Sequence, residues 1–198
     1  MSTQAERTAA TTERLLDATV KVLAEAGYRG ASTPEICRRA GVSRGGQLHH
    51  FRTKHDLVAA AVEHLFQQRM TELQDRITRG AATLDLADAA SFLWSVYTGD
   101  TYYAWLELVV AARTDPDLQR VIAAVDARLV ARAEQMCKTF LLPHVVDPGE
   151  ITATTRLILA LFDGLATHQI IARDDATAKA ALRAAARAGL FTRKDTRT

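Results

Sequence analysis

The chain has 198 residues, 48% apolar and 24% charged, the balance of a globular protein with room for one large domain or two smaller ones. No stretch approaches the roughly 20 uninterrupted apolar residues of a membrane span, and the opening MSTQAERTAA lacks the apolar core of a secretory signal. A cytoplasmic protein without a membrane partner is expected. The net charge of +2 hides an asymmetry: residues 1–56 carry nine Lys/Arg against six acids, while 57–198 carry sixteen against seventeen. Five bases and no acid lie within 38–54. Such a cluster suits a phosphate-binding face, and it also suits a solvated helix face. Cys37 and Cys137 are far apart with no CxxC spacing, so two reduced, buried thiols are expected.

In chain order, the spacing of Leu15, Leu16, Thr19, Val22, Leu23 and Ala26 predicts a first helix ending at Gly27. After the linker YRGAS, Thr33 before Pro34 predicts the cap of a second helix with proline at its first position. Gly41 must end that helix. Ser43 is expected to open a third helix and Thr53 a fourth, the run TKHD at 53–56 forming a capping box with Asp in place of Glu. The fourth helix is expected through Val58, Val62, Leu65, Phe66, Met70, Leu73 and Ile77 to about Gly80. Further breaks are expected near 83–85, at Gly99-Asp100, at 114–116 and at Leu142-Pro143. A long apolar helix follows over about 150–172, then an alanine-rich helix ending at Gly189 and a frayed polar tail. Arg113 and Asp115 are expected to cap the helix that they follow. No alternating run suggests a strand. The fold class is therefore all-α with about nine helices, an N-terminal three-helix domain over 1–55 and a larger helical domain over 56–198.

The second and third helices, joined by Ala40-Gly41-Val42, have the layout of a helix-turn-helix. Val42 can plug the angle between them, with Ile36 and Leu48 as apolar neighbours. Gly45 and Gly46 each cost about 1 kcal/mol against alanine inside a helix. They make sense where backbone must approach a surface such as the floor of a DNA major groove; otherwise they mark a weak turn. Arg44 can pair with guanine O6 and N7, and Gln47 with adenine or a phosphate. His49, His50 and His55 invite a metal reading, but adjacent helical positions point about 100° apart and rarely serve one ion. No metal and no cofactor is expected, and His50 reads as a half-buried brace. Neither a Ser-His-Asp set nor paired carboxylates nor a phosphate loop is present, so an enzyme is not expected.

The run AGVSRGGQLHHFRTKHDL at 40–57 resembles the DNA-binding signature of the TetR family of bacterial one-component repressors, AGVSxGxLYxHFxxKxxL. Gly41, Val42, Ser43, Gly45, His50, Phe51, Lys54 and Leu57 match in register, and the resemblance covers roughly 10–60. It implies that Thr33 caps the second helix and donates to a phosphate. It places Arg44, Gly45 and Gly46 against base edges, and His49, His50 and Lys54 at or near backbone phosphates. Where the family usually has Leu-Tyr, this chain has Gln47-Leu48. The tyrosine normally contributes a phosphate contact that Leu48 cannot make, so either His49 takes it over or binding leans more on Arg44 and Gln47.

Two recognition helices must sit about 34 Å apart to read one face of DNA, so a dimerisation surface is expected. The best candidate is ITATTRLILALFDGLATHQIIA at 151–172, where Leu157, Leu161 and Leu165 recur beside Ile158 and Phe162. Gly164 and Ala166 allow close approach, and the last helix adds small residues such as Ala181 and Ala185. A four-helix, two-fold homodimer interface is expected, which is also the family's usual dimer. The segment at 92–113 concentrates Phe92, Trp94, Tyr97, Tyr102, Tyr103 and Trp105, either plain core or the wall of a ligand cavity. The resemblance implies an effector site there, for a small apolar or amphipathic molecule, with Phe66, Met70, Trp94, Tyr97, Tyr102, Trp105 and Phe162 as candidates. Glu107, Arg113, Asp163 and His168 are candidate polar anchors. The expected function is a ligand-responsive repressor that binds a palindromic double-stranded DNA operator as a homodimer and is released by its effector. The alternative is a helical interaction module whose basic cluster meets an acidic partner other than DNA.

Overall fold

The computed structural model describes residues 3–79, 86–141 and 149–187, and all regular structure within them is helical. In order they are α1 (Gln4–Gly30), α2 (Thr33–Ala40), α3 (Arg44–His50), α4 (Lys54–Arg79), α5 (Leu86–Tyr97), α6 (Asp100–Ala112), α7 (Pro116–Met136), α8 (Ile151–Ala172) and α9 (Asp175–Arg187). A π-helical turn, Cys137–Leu141, continues from α7. The breaks expected near 83–85 and at Leu142-Pro143, the ends at Gly80 and Gly189, and the polar tail lie outside the described residues.

The helix ends follow from local chemistry. α1 starts well before Leu15, because Thr3 and Glu6 form a reciprocal capping box. Its regular path breaks at Gly27, whose φ of 66° and ψ of 178° belong to a region open essentially to glycine alone. The cap of α2 is Ser32, not Thr33: the Ser32 hydroxyl accepts from the Glu35 N–H at 3.4 Å. Thr33 would need the Ile36 N–H, and that group already donates to the Ser32 carbonyl at 3.0 Å. Gly41 ends α2 in the left-handed region at φ 62°. Thr53 and Asp56 close the box at the start of α4 at 3.0 and 3.1 Å. Asp115 caps the start of α7 rather than the end of α6, since its carboxylate accepts from the N–H groups of Asp117 and Leu118.

The chain forms two compact units. The first comprises residues 1–69 and 99–129, the second 70–98 and 130–198. The boundary expected at 55/56 falls within the first unit. There α1 packs on α2 and α6, around a core in which Leu15, Leu23, Ile36, Leu57, Val58, Val62, Leu108 and Leu118 are fully buried. Removing these side chains from water is the main stabilising term, about 1.5–3 kcal/mol each before entropy is counted. In the second unit α5 and α9 pack on α8. Phe162 is buried at its centre, with the rings of Trp94 and Tyr97 against it at 6.3 and 5.4 Å between centroids. Both cysteines are free and buried.

Candidate nucleic-acid interface

The sharp turn between α2 and α3 is built from three neighbouring devices. Gly41 adopts the left-handed conformation, the Val42 N–H returns to the Cys37 carbonyl at 3.0 Å, and the Ser43 hydroxyl caps α3 through the Gly46 N–H at 3.1 Å. Val42 packs against the core as expected. The two glycines of α3 have different surroundings. A Cβ on Gly46 would meet Val42 Cγ1 at 3.2 Å and Ser43 Oγ at 3.3 Å, so this glycine lets the turn close. A Cβ on Gly45 would meet nothing within 4 Å, so this glycine leaves the outer face of α3 bare.

That outer face carries Arg44, Gly45, Leu48 and His49, all exposed. Gln47 is not on it. Its side chain is buried, with Nε2 donating to the Phe51 carbonyl at 2.7 Å and Oε1 buried without a partner among the described residues. The expected contact of Gln47 with adenine or phosphate is therefore corrected: it occupies the inward position of α3 and ties down that helix's end. Leu48, expected beside Val42, is instead 51% exposed. In a helix of seven residues, adjacent positions differ by about 100°, so burying position 47 turns position 48 outward.

His50 is half-buried and braces α3 against α1, its Nδ1 lying 3.1 Å from the Thr12 hydroxyl. That hydroxyl donates its one proton to the Thr8 carbonyl, so Nδ1–H of His50 is the donor of the pair. Lys54, expected at or near a backbone phosphate, lies at the start of α4. Its ammonium donates to the Tyr28 carbonyl at 2.6 Å and sits 3.8 Å from the centre of the Tyr28 ring. Burial pushes the Lys54 pKa down, partly offset by nearby Asp115. Thr33 sits half-buried in the first turn of α2.

The basic run thins out in three dimensions. Glu35 accepts from both Arg38 and Arg39, and Arg39 also reaches Glu25 at 2.6 Å. Arg44 and Arg52 are exposed, and among the described residues neither has a carboxylate within ion-pair distance. These two guanidinium groups remain for a polyanion. Arg52 was not among the expected contacts, although it stands in the basic run beside Phe51.

The profile described as "Bacterial regulatory proteins, tetR family" matches residues 15–61, and that of a BetI-type transcriptional repressor C-terminal region matches residues 97–190. The HTH-type transcriptional regulator CymR of Pseudomonas putida is 33% identical over 177 residues, covering 87% of this chain and 85% of its own. The chain belongs to the TetR family of bacterial transcriptional regulators. A transcriptional regulator from Rhodococcus sp. Rha1 superposes with TM-score 0.60 at 28% identity, over 80% of this chain and 83% of its own. A TetR-family regulator structure from Rhodococcus sp. shares the fold at TM-score 0.71 and 19% identity, over 92% and 99% of the two chains. In this TetR-family regulator the helix-turn-helix of α2 and α3 is the DNA-binding element.

The residues expected at an effector are divided between the regulator's two units. In the first, Phe66 and Trp105 meet edge to face at 6.0 Å between centroids, and Tyr102 is buried. In the second, Trp94, Tyr97 and Phe162 form the aromatic cluster described above, with Met70 half-buried on α4. The Trp94 indole N–H is committed to the Asp175 carboxylate at 2.6 Å, which holds the start of α9. Glu107 accepts the Tyr28 backbone N–H in the first unit.

The residues expected at a dimer interface also separate. Leu157 and Gly164 are exposed on α8, Leu161, Leu165 and Ala181 are half-buried, and Ala185 is buried in its own unit. Steps of four along a helix drift by about 40° each, which carries the 157–161–165 ladder inward. The exposed seam alternates steps of four and three through Ala153, Leu157, Ala160, Gly164, Thr167 and Ile171. Ile171 is 85% exposed.

Proposed function

We propose that this regulator is a ligand-responsive repressor that binds a palindromic double-stranded DNA operator as a homodimer, in the cytoplasm, and is released by a small apolar or amphipathic effector. Residues 1–55 would read DNA and 56–198 would bind the effector and dimerise. The observation that carries the reading is the outer face of α3: Arg44, Gly45 and His49 stand exposed beside Arg52, on a surface whose other bases are already neutralised or turned inward. Arg44 suits bidentate pairing with a guanine edge, and Arg52 and His49 suit backbone phosphates.

The exposed seam of α8 supports dimerisation, because its 3.5-residue period keeps one apolar face toward a two-fold mate. Alanine at 176, 180 and 184 adds a small-residue face on α9. The match to a BetI-type repressor C-terminal region supports repression. Release requires only that the effector favour a state whose recognition helices no longer match the half-site spacing. α4 contributes residues to both units and is the natural lever.

Selection from a random duplex library at roughly physiological salt tests the reading, with an inverted repeat as the expected product. On that repeat Arg44→Ala should cost about 1–3 kcal/mol and relax preference at one base position. Failure to enrich any sequence, with and without candidate effectors, would leave the acidic-partner module as the better account.

A further inference from the structure

Leu48 is the unexplained side chain of the recognition helix. It lies 51% exposed on α3, one turn beyond Arg44 on the same face. It is not among the apolar side chains packed on the core, whereas Val42 is, and a Cβ on Gly46 would crowd Val42 at 3.2 Å. The surrounding surface holds Arg44, His49 and Arg52, and no acid occurs anywhere within 38–54. Charge complementarity therefore makes the occupant of this face a polyanion, yet the face centres on an apolar group. In a DNA major groove the apolar feature on a base edge is the 5-methyl group of thymine. Gly45, beside both residues, presents no side chain to hold the helix off the bases.

We infer that Leu48 is a specificity-determining residue that reads a thymine through its 5-methyl group, next to the guanine read by Arg44. The inference rests on operator binding through α3. Four residues of helix rise about 6 Å, and stacked bases are about 3.4 Å apart, so the two bases fall within about two base pairs of each other. The buried Gln47 has no part in this readout.

The probe is the duplex enriched by the selection above. Each thymine in one half-site is replaced in turn by deoxyuridine, which removes the methyl group and leaves base pairing intact. Binding is measured for the wild type, Leu48→Ala and Leu48→Met, with circular dichroism to confirm that each variant is folded. One position is expected at which uracil weakens wild-type binding about three- to fivefold, the effect of one lost methyl-sized contact. That penalty should vanish in Leu48→Ala and persist in Leu48→Met, with the salt slope of binding the same in all three because Leu48 is uncharged. A uracil penalty that survives in Leu48→Ala, or none at any thymine, overturns the assignment while operator binding stands. Failure to enrich any duplex overturns operator binding, and this inference with it.

Discussion

The carboxylate of Glu107 lies where a side chain on Gly27 would begin, with Oε2 2.6 Å from that Cβ position. The same oxygen accepts the Tyr28 backbone N–H at 3.2 Å, and the Tyr28 carbonyl accepts from Lys54 at 2.6 Å. Tyr28 is thereby gripped on one side by α6 and on the other by α4. His55, stacked near the Tyr28 ring, extends the connection to Asp115 at 3.3 Å. The end of α1, which supports the helix-turn-helix, is tied in this way to the helices that pack on it.

Gly27→Ala should destabilise the protein by about 1–3 kcal/mol, because alanine is strained at that φ and ψ. Crowding against Glu107 adds a smaller cost that a flexible side chain can relieve. Urea denaturation checks this, and Gly27→Ala combined with Glu107→Ala should recover none of the loss, since the backbone strain remains and the bond to the Tyr28 N–H is removed as well.

Lys54→Met keeps an apolar stem near Tyr28 and removes the ammonium. Stability should fall by about 1 kcal/mol, the charge-assisted hydrogen bond being partly offset by relief of a buried charge. The salt slope of DNA binding should stay unchanged. A slope shallower by about one would instead mean that Lys54 meets a phosphate in the complex.

Gln47→Met has similar volume and removes the orphaned Oε1. Leaving a buried polar atom unpaired costs about 1–3 kcal/mol, and the lost bond to Phe51 offsets roughly 1 of it. The expected outcome is a thermal midpoint equal to or above that of the wild type, with the selected DNA sequence unchanged. An altered base preference would show that Gln47 turns outward on DNA.

The arginines that hold Glu35 lower its pKa from 4.5 to about 2, chiefly through hydrogen bonds from Arg38 and then Arg39. A depressed carboxylate pKa means that the unfolded chain takes up the proton first. The network's stabilisation is therefore present above about 4.5 and is lost as pH falls toward 2. Glu35→Gln should flatten the stability profile across that window. The network faces solvent, so the difference should be measured at low ionic strength and should shrink with added salt.

Leu157→Glu places a charge in the middle of the α8 seam. Sedimentation should report a shift from dimer to monomer with helical content retained, and binding to the inverted repeat should weaken accordingly. A dimer unaffected by this change would assign the interface to another surface.

Much of the recognition unit is legible in the sequence because its signals act between close neighbours in the chain. Gly41 in the left-handed region, the Ser43 cap and the Thr53–Asp56 box each depend on atoms within about four residues. Even the misplaced cap at Thr33 missed by one residue, since Ser32 carries an equivalent hydroxyl. The inward and outward positions of α3 were not legible in the same way. Gln47 is the more polar of the pair and was expected to face DNA, but the helix is fixed from outside itself, by His50 on Thr12 and by Val42 and Phe51 on the core.

By itself, then, the sequence determined the helical class, the turn between α2 and α3 and the family, because helical periodicity, caps and the spacing of the motif are short-range properties. The tertiary structure decided which of Gln47 and Leu48 meets solvent, that Lys54 serves Tyr28, and that Glu35 and Glu25 neutralise Arg38 and Arg39. The pairing of Glu35 with Arg38 and Arg39 is local to α2, at spacings of three and four residues, whereas the other outcomes depend on which distant or cross-helix groups arrive within hydrogen-bonding or packing distance, and only the folded chain sets those distances.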